Sequence, residues 1–169
     1  MKERPKLVRE IYCFVHNGNY YLTTLKVFSD GMVDCWGRMD KQEFLAKIKS
    51  GWITIDVPDG TEVRIDDQGF IFNQAKTLRK DGSLMFAHKW ITNDEFVKEV
   101  LDAIHRANGN KGASELCYEA YQRYDASPTR ENLEALRRAY EEVPAHRRRY
   151  VLGDQDLKDG PIRSALGQP

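Results

Sequence analysis

The densest chemistry in the sequence lies in one short stretch near its end. His146-Arg147-Arg148-Arg149-Tyr150 sets three guanidinium groups and an imidazole beside an aromatic ring. Guanidinium forks match phosphate oxygens, and tyrosine can stack on a base. Acids are interleaved just upstream at Glu141 and Glu142, and consecutive helical arginines point in different directions. A solvated, salt-bridged surface is therefore the simpler reading. Asp154, Asp156 and Asp159 follow at D-x-D-x-x-D spacing, which could offer oxygen ligands to a hard cation. An EF-hand needs glycine at its sixth position and glutamate at its twelfth, whereas Asp159 and Ala165 stand there. Lys158 also offsets the charge, so a turn with acidic caps is the plainer account.

The other titratable groups are dispersed. His16, His88, His105 and His146 form no HxxxH or HExxH pattern. GxSxG, GxGxxG and GxxxxGK[ST] are all missing. Cys13, Cys35 and Cys117 are odd in number and lack CxxC or Cys/His spacing, which supports neither a disulfide framework nor a zinc site. They read as buried thiols in a reducing compartment, and a cytoplasmic location is expected. No catalytic residue, metal or cofactor is assigned on this reading. The charged start, Met1 to Lys6, lacks an apolar core and is not expected to be a secretory signal.

These residues must be positioned by two kinds of element. Leu7–Val15, Asn19–Phe28 and Val33–Trp36 are rich in β-branched and aromatic residues and are separated by Asn17-Gly18 and Asp30-Gly31 turns. They predict an antiparallel meander. Asp40 with Glu43 predicts a capped helix that Gly51 ends. Alternation over Trp52–Val57, Glu62–Ile65 and Phe70–Phe72 predicts further strands, with a last hairpin pairing 76–78 with 84–88. The aromatic set Tyr12, Phe14, Tyr20, Tyr21, Phe28 and Trp36 could form a binding face, but core packing accounts for it better.

From Thr92 the period changes to helical. Phe96, Val97, Val100, Leu101 and Ile104 form one stripe. Asn108-Gly109-Asn110-Lys111-Gly112 is the best candidate boundary in the chain. Two further helices follow, the second expected to start with Ser127 as N-cap and Pro128 at its first turn, and to stop before Pro144. Their short connection predicts an antiparallel helical hairpin. The expected fold is α+β: a single domain over 1–169, sheet-rich over 1–91 and helical over 92–169. Its antiparallel meander carries an inserted helix and is packed by three or more C-terminal helices, including the hairpin.

Composition fits such a domain. The 169 residues carry 26 Lys+Arg against 26 Asp+Glu, a balance that excludes a generally basic nucleic-acid coat. No apolar run approaches the roughly 18–20 residues of a membrane span.

Several segments together resemble a family of uncharacterised bacterial proteins. They are Asp30-Gly31, Cys35-Trp36-Gly37, Gly51-Trp52, Pro58-Asp59-Gly60, and the tail from Val143-Pro144-Ala145-His146 through Arg149-Tyr150-Val151-Leu152-Gly153-Asp154 to Asp159-Gly160-Pro161-Ile162. The resemblance implies a bacterial, single-domain, soluble protein and brings no activity.

The leading functional expectation is a non-enzymatic domain that binds a protein partner or a second copy of itself. Tyrosine and arginine are favoured at interface centres, which singles out Tyr121, Tyr124, Tyr140, Arg148 and Tyr150, with His146, Asp154, Asp156 and Asp159 on the same candidate surface. The rival is a phosphate- or metal-dependent hydrolase built from His146, the arginines and the acids of 154–159. Nucleic-acid binding through Arg147–Arg149 is weaker, because the chain has no net charge.

Overall fold

The computed structural model describes residues 2–65, 67–73, 76–79, 81, 84–86, 90–153 and 158–169. The chain divides into two compact units, Met1–Asn108 and Gly109–Pro169. The division falls at the Asn108–Gly112 link, where a run of exposed residues contains Gly109 at φ +81°. Each unit has its own buried apolar cluster.

The first unit is built on a long hairpin of β1 (Leu7–Asn17) and β2 (Asn19–Phe28), turned at Gly18 with φ +76°. The remaining strands are β3 (Val33–Asp34), β4 (Arg38–Met39), β5 (Ile53–Thr54), β6 (Glu62–Ile65), β7 (Gln68–Asn73), β8 (Lys76–Arg79) and β9 (Leu84–Phe86). Among the described residues they form one sheet, in the order β4-β3-β2-β6-β7-β8-β9, with β1 against β2 and β5. Every pairing is antiparallel except one. The far edge of β2 is shared: β3 runs antiparallel to Lys26–Val27, while β6 runs parallel to Tyr20–Tyr21. Hairpin signals report only sequence neighbours, so this parallel contact had no local signature.

Both faces of β1 are covered where it matters. Cys13, Phe14 and Val15 are all buried although neighbouring side chains point to opposite faces. Phe14 meets Phe72 edge-on at 5.3 Å and Trp90 at 4.8 Å. Helix α1 (Lys41–Lys49) buries Phe44, which meets Phe96 of α2 (Asn93–Ala107) at 6.3 Å. Both helices begin with a full capping box, Asp40 with Glu43 as the sequence predicts and Thr92 with Glu95 in the same pattern. Glu99 lies within the buried stripe of α2, only 2% exposed, and pairs with Arg9 of β1 at 2.9 Å.

Two sequence expectations need correction here. Of Trp52–Val57 only Ile53–Thr54 pairs, with Phe14 and Val15; beyond it the Thr54 hydroxyl accepts from Asp56 N at 2.9 Å. Val33–Trp36 stops pairing at Asp34, because residues 35–37 turn the chain into β4. The expected 84–88 strand is seen for Leu84–Phe86; its end lies outside the described residues.

The second unit is a helical hairpin of α3 (Ala113–Ala126) and α4 (Arg130–Glu142), followed by a 3-10 helix over Ala145–Tyr150 and by α5 (Gly160–Ala165). Cys117, Ala120, Leu136, Tyr140, Val143, Val151, Ile162 and Leu166 form its core. The N-cap of α4 is Thr129, not Ser127: the Thr129 hydroxyl accepts from Asn132 N at 3.1 Å. Ser127 instead ends α3, and its carbonyl accepts from the Asn132 side chain at 2.8 Å.

Candidate functional site

Among the described residues, two places that gather groups able to recognise a ligand stand out, one in each unit. In the second unit the 3-10 helix brings the arginine run to a cleft of about 460 Å³. A 3-10 helix has about three residues per turn, so successive side chains diverge by roughly 120°. Arg147, Arg148 and Arg149 therefore do not form one patch. Arg148 turns inward: its Nε donates to Val143 O and its Nη2 to Glu141 O, each at 3.0 Å, capping the end of α4. Its guanidinium also lies 5.1 Å from the Tyr140 ring centre. Arg149 lines the cleft from the exposed side, 5.2 Å from the Tyr150 ring.

The other wall comes from the far side of residues 154–157. Lys158 stands at φ +49°, and Asp159 precedes α5, which carries Arg163. Asp159 is 7% exposed and doubly engaged: it accepts from the Tyr140 hydroxyl at 2.7 Å and lies 3.4 Å from Arg163 Nε. Burial first, then the hydrogen bond and charge of Asp159, push the Tyr140 hydroxyl up to about 12. Behind this wall the buried Cys117 thiol is also pushed up to about 12 by burial, with Arg148 opposing. Among the described residues the cleft is thus lined by Arg148, Arg149, Lys158 and Arg163 against one carboxylate that already has partners.

The surface residues singled out in the sequence are placed as follows. Tyr140, Arg148 and Asp159 are brought together, with Tyr140 in the core. Tyr121 and Tyr124 are half-buried against that core on α3, and burial raises Tyr121. Tyr150 is exposed. His146 is exposed and does not line the cleft. Asp154 and Asp156 lie outside the described residues, as does His88. Among the described residues no three His, Cys, Asp or Glu groups come together as a metal cluster. Lys158 and Arg163 join the cleft without any sequence signal, because only the fold sets them opposite Arg149.

The first unit carries an aromatic ridge. Trp36 is 52% exposed and sits at φ +57°. Its ring lies 5.1 Å from Tyr21 and 6.0 Å from Trp52, and the Lys47 ammonium is 4.3 Å from the Trp52 ring. The turn is held by Cys35 N on Gly37 O at 3.1 Å and by Gly37 N on Asp34 Oδ1 at 3.3 Å. Core packing describes Phe14, but Trp36 and Tyr12 face outward. A tryptophan followed by glycine, with aspartate two residues before it, is the turn signal that marks the exception. Beneath the turn the Cys35 and Cys13 sulfurs are 3.8 Å apart; that contact, with burial, drives the Cys13 thiol upward.

A curled, largely antiparallel sheet with helices, followed by a helical unit, defines an α+β protein. Residues 9–111 match the domain of unknown function DUF7638, and the chain belongs to that family. Residues 112–169 match a second domain of unknown function, DUF7639, so the two matches meet within the Asn108–Gly112 link. No curated protein and no solved structure matches the chain. Among the described residues no helix is long and apolar enough to cross a membrane.

Proposed function

We propose that the chain is a non-catalytic protein-interaction domain, and that its Trp36 ridge takes an acidic segment of a partner protein bearing an apolar anchor. The observation that carries this reading is Trp36, half in solvent yet held in the left-handed region against Tyr21 and Trp52. A non-glycine residue there costs about 1–2 kcal/mol, a strain that persists mainly where the surroundings fix it for use. Tryptophan and tyrosine dominate binding at interface centres because they bury much area with few rotatable bonds. Lys47 in the last turn of α1 adds positive charge beside Trp52, which favours an acidic occupant. The three free, buried cysteines support a reducing compartment, and with it a cytoplasmic location.

A displayed random-peptide library selected against the intact chain tests this. Enriched peptides are expected to carry acids next to a large apolar residue, and Trp36→Ala is expected to weaken them at least tenfold. Recovery of the same peptides by Trp36→Ala, or of none by either protein, overturns the reading. Concentration-dependent dimerisation that Trp36→Ala abolishes would identify the partner as a second copy.

A further inference from the structure

We infer that the cleft between the 3-10 helix and α5 is a binding site for the phosphoryl group of a small molecule. Four cationic side chains, Arg148, Arg149, Lys158 and Arg163, line about 460 Å³ in a chain whose net charge is zero. Among the described residues, four cations against Asp159 leave a local positive excess in the cleft. Like charges brought together repel, and a cleft lined by one sign of charge focuses its field on an incoming counter-ion.

The four cations divide into two pairs. Arg148 and Arg163 are fixed: Arg148 by two backbone carbonyls of the α4 terminus, Arg163 by Asp159 and by Pro169 O at 2.9 Å. Both guanidinium groups are held in place, Arg148 half-buried and Arg163 exposed. Arg149 and Lys158 are exposed at the rim, and among the described residues neither is held by an ion pair. They are placed to close on an anion from opposite walls. Lys158 is also one of two non-glycine residues with positive φ among those described. Strain of this kind clusters at ligand clamps.

Asp159, the one carboxylate among the described lining residues, does not spoil the site. Asp159 is buried and committed to the Tyr140 hydroxyl and to Arg163, so it holds Arg163 in place and leaves Arg149 and Lys158 to face an incoming anion. The arginine forks suit two or more oxygens of one phosphoryl group, and lysine adds a compact point charge. A polyanion such as nucleic acid would need a track of such charges, and this is one local cluster.

Titration of the intact chain with inorganic phosphate, and separately with pyrophosphate, tests the site. Melting temperature and backbone amide NMR shifts are read against chloride at matched ionic strength. Saturable binding is expected, with shifts confined to residues 140–163. The Arg149→Ala/Lys158→Ala variant should keep its own melting temperature and lose at least tenfold in affinity. Arg138→Ala, exposed on α4 outside the cleft, should bind as the parent does. The proposal fails if phosphate does no more than chloride, or if the double variant binds unchanged. It also fails if Arg138→Ala weakens binding as much, or if only long polyanions such as heparin bind. The Trp36 ridge takes no part, so Trp36→Ala should leave phosphate binding intact whatever becomes of peptide binding.

Discussion

The hydroxyl of Tyr140 donates to Asp159 Oδ2 across 2.7 Å, and both residues are buried. One hydrogen bond thereby ties the last turns of α4 to the segment that opens α5, and sets Asp159 to hold Arg163. Tyr140→Phe keeps the ring and leaves the carboxylate short of one donor. A loss of about 1–3 kcal/mol is expected by urea denaturation at neutral pH.

The pH dependence has a definite sign. The folded state raises the Tyr140 hydroxyl from its ordinary 10.0 to about 12, so the fold holds the proton more tightly than the unfolded chain. The resulting stability is complete below pH 10.0 and is lost as pH rises through about 12. The gap between parent and Tyr140→Phe should stay flat through neutral pH and shrink above 10.0. A gap that grows with alkalinity would reverse the assignment.

Gly31 and Gly18 both adopt positive φ, but only Gly31 faces a neighbour. A Cβ on Gly31 would stand 2.6 Å from Asn108 Oδ1, whereas nothing lies within 4 Å of one on Gly18. Gly18→Ala should cost about 1 kcal/mol from backbone strain alone. Gly31→Ala should cost that and a further increment from displacing Asn108. Adding Asn108→Ala should recover the increment, and chemical denaturation of the three variants separates the two contributions.

What was legible in the sequence is what local chemistry decides. Asp40 with Glu43, and Thr92 with Glu95, mark their helix starts because a cap is satisfied within four residues. Ser127 and Thr129 compete as caps on the same rule, and the choice fell to Asn132, whose side chain bonds back across the connection. The parallel meeting of Tyr20–Tyr21 with Val63–Arg64 depends on how the whole sheet curls, so no window of sequence contains it. Likewise Arg147–Arg149 announce charge, but their separate fates follow from a 3-10 turn and from the carbonyls that claim Arg148. Trp36 shows the same limit from the other side: its type says core, and its backbone angle turns it outward.

That backbone angle makes a separate prediction. Trp36→Gly and Trp36→Ala both delete the indole and its contacts with Tyr21 and Trp52, but only glycine relieves the left-handed strain at φ +57°. Trp36→Gly should therefore be more stable than Trp36→Ala by about 1 kcal/mol. Equal stabilities would show that residue 36 is not strained in solution, which would remove the main support for a functional ridge.

The link between the units offers the last test. Residues 108–111 are all exposed, and Gly109 holds a conformation that side chains avoid. Backbone that is exposed and outside helix or strand is where a protease can seat an extended segment. Brief digestion with a protease that cuts after lysine should therefore nick Lys111 before the lysines of α1, which are protected by helical hydrogen bonding. Each fragment has a buried cluster of its own, so each is expected to keep its circular dichroism and to unfold cooperatively. The smaller one, at about 60 residues, belongs to a size class with marginal stability and should melt at the lower temperature. Loss of helical signal from the second fragment on nicking would mean that its core is not sufficient for folding. First cuts inside α1 would mean that the helix is less protected than its capping box implies.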